Sequence, residues 1–280
     1  YTLAGTPNLN SGLWQHIAGD LPRILAQNHP CTNASGSLSF SAQIALGRGA
    51  LSNPLMICRK EQFGDLSVLA ANSGTNYHVK ITGAVNLTGT FTPPTIPVNV
   101  TLYGTNALLF GYHRVASASG VQNWAPFATN NGTMKDVRLA NNNLQMTSAD
   151  TGGSTVTGMV DTNNGLIVGA RLIGSIIRQD EAPGTNRASA IGLVRLNSAS
   201  GRIRDFEVKA SLRGEGQLHG AFYENFGIVE DGVVANLMDT MLSPNSVSNV
   251  VGIGYRNYGT VRRISVESRF DHPNEAVSIS

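Results

Sequence analysis

The stretch GAFYENFGIV, residues 220–229, returns as GIGYRNYGTV at residues 252–261. Each runs from a Gly to an Asn five residues on, then to a second Gly two residues further. Three earlier segments follow the same plan: APFATNNGTM (125–134), GMVDTNNGLI (158–167) and GLVRLNSASGRI (192–203). The first has Ala in place of the leading Gly, and the third delays the second Gly by two residues. The aligned Asn residues are Asn130, Asn163, Asn197, Asn225 and Asn257, and the turn glycines are Gly132, Gly165, Gly201, Gly227 and Gly259.

Downstream of each turn Gly the pattern continues. Two residues on stand Met134, Ile167, Ile203, Val229 and Val261; seven on stand Leu139, Leu172, Val208, Val234 and Val266. All ten are apolar. The Asn-to-Asn steps are 33, 34, 28 and 32 residues. A period of that size with strand-type alternation means one solenoid coil per repeat. Helical repeats of similar period need long Gly-free helical segments, and Gly interrupts every unit here. The expected fold is therefore all-β, a right-handed parallel β-helix over residues 120–280. Equivalent apolar side chains stack about 4.8 Å apart as ladders in one continuous core. The Asn is suited to an inward amide ladder between coils, and the Gly after it to a turn with positive φ.

Composition agrees. Gly is 31 of 280 residues and only 14% are charged, which disfavours helical bundles; 41% hydrophobic content disfavours disorder. A net charge of +2 with interspersed signs leaves no nucleic-acid footprint. The longest apolar stretch, residues 165–177, is too short to span a bilayer and contains Arg171.

The units resemble GLUG repeats of bacterial surface proteins, whose pattern runs roughly G-L-[apolar]-G-x-N-x-G-x-I. The segment LMIC (55–58) followed by EQF (61–63) resembles the strand and short helix that open such domains. The runs YHV (77–79), VNLTG (85–89) and LYGTN (102–106) resemble coils that precede the repeats. The likeness covers residues 53 to 270, so 53–119 is expected to form leading coils continuous with the repeats. One departure stands out. The second Gly of the family's G-L-x-G is replaced by Ala128, Asp161, Arg195, Tyr223 and Tyr255.

Residues 1–52 differ in character. Leu13, Trp14, Ile17 and Leu21 have helical spacing before Pro22. The expectation is a short helical or irregular cap on the solenoid's open end, with a stalk or homo-oligomerisation segment as the alternative. Cys31 and Cys58 lack CxxC spacing and an accompanying His cluster, so a structural disulfide is favoured over a redox or metal pair.

No metal or cofactor motif is present. His16, His29, His78, His113, His219 and His272 make no i, i+3 or i+4 pair, and neither HExxH nor GxSxG occurs. Asp136, Asp205 and Asp231 share a position four residues after the turn Gly, where Gly169 and Arg263 stand in the other copies. A solvated turn is the plainer account of them than a general acid and base. The ligand-binding candidates are aromatic: Tyr223, Phe226, Tyr255 and Tyr258, with Glu224 and Arg256 beside them. Facing outward on neighbouring coils, such rings would offer a platform to sugars; facing one another, they would be packing ladders. The resemblance implies an exported, outer-membrane-associated or extracellular bacterial module without catalytic activity, adhering to a surface glycan or protein of another cell. A carbohydrate-active enzyme and a fibre spacer are the rival readings.

Overall fold

The computed structural model describes residues 14–15, 23–24, 31, 38–118, 122–148, 154–181, 189–214, 216–240 and 250–271. They form a parallel β-solenoid with three faces. A short five-stranded face carries strands such as Thr155–Thr157 and Gln217–His219. A six-stranded face carries the Asn-bearing strands Phe127–Asn130, Val160–Asn163, Val194–Asn197, Phe222–Asn225 and Gly254–Asn257. The long face takes the chain after each turn Gly, through strands as extended as Arg202–Gly214.

The register between coils follows the repeat. Met134, Ile167, Ile203, Val229 and Val261 pair in succession, as do Leu139, Leu172, Val208, Val234 and Val266. The first four of each column are buried. Val261 is only partly buried and Val266 is 41% exposed, because their coil is the last described one and no further described rung covers it.

The inward Asn ladder forms as expected. Each Nδ2 donates to the Oδ1 of the next coil: Asn130 to Asn163 at 2.8 Å, then Asn163 to Asn197, Asn197 to Asn225 and Asn225 to Asn257 at 2.7 Å. The first four are fully buried. The ladder stops at Asn130, whose Oδ1 has no partner, since the rung before it places Ile96 opposite.

The turn glycines correct the expectation of positive φ: none of the five lies in the left-handed region. What requires Gly is the neighbouring coil. A Cβ on Gly227 would sit 2.0 Å from the Gly201 carbonyl oxygen, and the leading Gly192 would meet that of Gly220 at 1.9 Å. The left-handed residue comes four positions later, at Asp136, Gly169, Asp205, Asp231 and Arg263. Asp and Gly tolerate that conformation best, which accounts for the acidic column.

At the N-terminal end helices cover the solenoid. Helix α1 (Phe40–Ala45) buries Phe40, and α2 (Leu66–Ala70) buries Leu66 and Leu69. Between them lie the strand Leu55–Ile57 and a 3₁₀ turn at Lys60–Phe63. Leu55–Ile57 is the first rung, and its outer edge would be open to another chain. The buried Gln43 closes that edge by accepting from the Met56 N–H at 2.7 Å and donating to the Met56 carbonyl at 3.0 Å. A Cys31–Cys58 disulfide, Cα–Cα 5.4 Å, fastens the preceding chain beside it. Of the stretch 13–21, only Trp14–Gln15 is described. It is a strand paired antiparallel with Arg23–Ile24, not a helix, so inter-strand bonds replace helical ones there. His16, His29 and His272 lie outside the described residues.

Candidate aromatic and amide surface

The six-stranded face alternates so that Val160 and Asn163 point in while Asp161 and Thr162 reach the surface. The column departing from the resembled pattern, Ala128 to Tyr255, therefore lies on the outside. Its members meet across coils. Arg195 donates to both carboxylate oxygens of Asp161, at 2.5 and 3.1 Å. Tyr223 and Tyr255 stack at 5.2 Å between centroids. In the next column Arg256 donates to Glu224 at 3.0 Å, and its guanidinium lies 5.0 Å from the Tyr255 ring centroid. The Glu224 hydrogen bond is the chief reason the Arg256 pKa is raised.

Tyr223 and Tyr255 also pack inward, against His219 at 5.2 and 5.3 Å. His219 is completely buried, and desolvation lowers its pKa to about 3, so it is neutral at physiological pH. The two tyrosines thus seal a buried imidazole as well as facing solvent. Phe226 and Tyr258 behave differently. They stack at 4.9 Å on the turn after each Asn and remain 43% and 64% exposed. The six aromatic and charged candidates are accordingly brought together at one end of one face. Trp124 does not join them: it is buried, with Arg114 over its ring at 4.2 Å.

The carboxylates of the acidic column are engaged by partners on neighbouring coils. Asp205 accepts from Arg171 at 3.1 Å, and Asp231 from Arg263 at 2.5 and 2.9 Å; the latter bonds hold the Asp231 pKa below its ordinary value. Among the described residues, no group of three or more His, Cys, Asp or Glu is arranged to hold a metal, and no helix is long and apolar enough to cross a membrane.

One feature escaped the sequence reading. A groove of about 830 Å³ lies between α2 and the loop 92–99, within the size range of small-ligand sites. Phe63 forms part of its lining, with Pro93, Pro97 and Val98 from the loop, and Asn131 and Asn164 from the corner after the Asn strands. Backbone bonds fix the loop: Ala128 N–H donates to Pro94 O and Asn131 N–H to Ile96 O, both at 2.9 Å. The Pro-rich run TPPTIPV (92–98) was the available signal. It could not be read as a wall without knowing that α2 stands opposite.

Fold and surface together define a capped parallel β-solenoid with one aromatic, cross-paired lateral face. No family model, no curated protein and no solved structure matches the chain.

Proposed function

We propose that this is an exported bacterial surface module that recognises a glycan or other cell-surface ligand and performs no chemistry. The observation that carries this reading is the Phe226–Tyr258 stack: two rings on adjacent coils, held by a rigid repeat yet left open to solvent. Exposed aromatic rings beside a paired Glu224 and Arg256 suit sugar CH groups and hydroxyls alike. A disulfide fits an oxidising compartment, and the resemblance to GLUG surface proteins supports the same location.

The spacer reading has one specific support: the lateral charges Asp161–Arg195 and Glu224–Arg256 satisfy each other between coils. A glycan-array and whole-cell binding screen separates the two. The recognition reading expects retention on at least one glycan or cell type, and its loss in a Phe226→Ala/Tyr258→Ala variant that melts like the parent. No retention on any surface favours the spacer.

A further inference from the structure

The groove and the exposed ring stack belong to one line. Position by position, the corner after each Asn strand carries Pro97, Asn131, Asn164, Ser198, Phe226 and Tyr258. Backbone bonds tie these rungs in order, from Ile96 O through Asn130 O, Asn163 O and Asn197 O to Asn225 O. Five rung steps make a track of roughly 24 Å. Its first part is the floor and wall of the groove, and its last part is the Phe226–Tyr258 stack.

The chemistry along the track is uniform in one respect: it has no charge. No residue lining the groove is ionisable, and no corner residue is Asp, Glu, His, Lys or Arg. The amides of the middle rungs are linked, Asn164 Nδ2 donating to Asn131 Oδ1 at 2.8 Å. Ser200 adds a hydroxyl on the Ser198 rung, donating to Asn164 O at 2.8 Å. At the groove wall the buried Asn99 gives its Nδ2 to the carbonyls of Leu69, Asn72 and Thr75, while its Oδ1 has no donor. The flanking columns contribute Arg202 and the mutually bonded Glu224–Arg256 as their only charges among the described residues.

We infer that this corner binds an uncharged linear glycan lying parallel to the solenoid axis, one end seated in the groove and the other on the rings of Phe226 and Tyr258. Proline, valine and phenyl surfaces meet the apolar faces of sugar rings, and amides and hydroxyls spaced by one rung meet the hydroxyls. A repeat near 4.8 Å is close to the length of one sugar unit, so successive sugars can engage successive rungs. Among the described residues flanking the track, an acidic chain would find Arg202 as the one cation outside the Glu224–Arg256 pair, and it would lose solvation elsewhere along the track.

This inference rests on the glycan form of the proposed function, and the test keeps the two apart. Titration calorimetry on the full chain would use neutral oligosaccharides of one to eight units from gluco-, manno- and N-acetylglucosamine series, with oligogalacturonate as the acidic arm. The expected result is affinity that climbs with length, levels off near five or six units, and changes little with salt. Asn131→Ala/Asn164→Ala should weaken the long chains by about tenfold and leave a disaccharide held at the rings unaffected. Val98→Asp, at a wall residue that is 73% exposed, provides a second variant should the amide variant fold poorly. Affinity independent of length, preference for the acidic arm, or indifference to both variants overturns the track while leaving glycan recognition standing. Cell binding with no affinity for any oligosaccharide overturns it in favour of a protein ligand. No binding to either removes the recognition reading as well.

Discussion

Asp205 shows how a residue type is set by backbone rather than by chemistry. Its φ is +50°, and among the described residues its carboxylate pairs with the partly exposed Arg171. Asp205→Gly should therefore keep the melting temperature within a degree or two, whereas Asp205→Val should destabilise by about 1–2 kcal/mol. Equal damage from both would mean that the carboxylate itself matters. His219 makes the complementary point, a polar group held neutral by burial. Its pKa falls from 6.5 to about 3 on folding. The resulting stability is fully present above pH 6.5 and drains away as pH drops from there towards 3. The slope approaches about 1.4 kcal/mol per pH unit, so roughly 2 kcal/mol is lost between pH 7 and pH 5. Chemical denaturation across that range should show the loss, and His219→Leu should flatten it.

The element that holds coil to coil is the inner Asn ladder. Replacing Asn197 with Leu removes the 2.7 Å bonds to the Asn163 Nδ2 and the Asn225 Oδ1, leaving the first only longer contacts to the Gly165 and Arg202 carbonyls and the second the Gly227 N–H at 3.1 Å. Each lost buried bond is worth about 0.5–1.5 kcal/mol, so a loss of about 1–3 kcal/mol is expected from urea unfolding. The same change at Asn257, exposed on the last described coil, should cost well under half as much. Equal losses would remove the ladder as the cohesive device and leave the apolar columns to explain the stacking. The strands themselves need little intrinsic propensity. The Asn-bearing strands of the six-stranded face are four residues long, too short to persist without rungs above and below.

At the scale of the molecule the two ends differ. The first rung is closed by Gln43 and covered by α1 and α2, while the last described coil leaves Val261, Ile264 and Phe270 only partly buried. The Cys31–Cys58 bridge, with a separation of 27 residues, belongs to the closed end. By the chain-entropy relation its removal should destabilise by about 3–4 kcal/mol. Cys31→Ser, or reduction of the parent protein, should lower the denaturation midpoint accordingly. An unchanged midpoint would mean that the cap is held by packing alone.

The repeat spacing by itself determined the solenoid, the register of both apolar columns and the Asn ladder, because a coil-per-repeat fold turns sequence period directly into contact. It also placed the Tyr223 and Tyr255 positions on neighbouring coils. It misassigned the reason for the turn glycines, since φ and the proximity of the next coil's carbonyl leave the same Gly in the sequence. Whether the rings face solvent or one another was open too, and the answer is divided: Tyr223 and Tyr255 seal His219, while Phe226 and Tyr258 stand clear. The groove was illegible for a different reason. Its walls come from α2, the loop 92–99 and two repeat corners, segments with no shared period, and only folding brings them to one place.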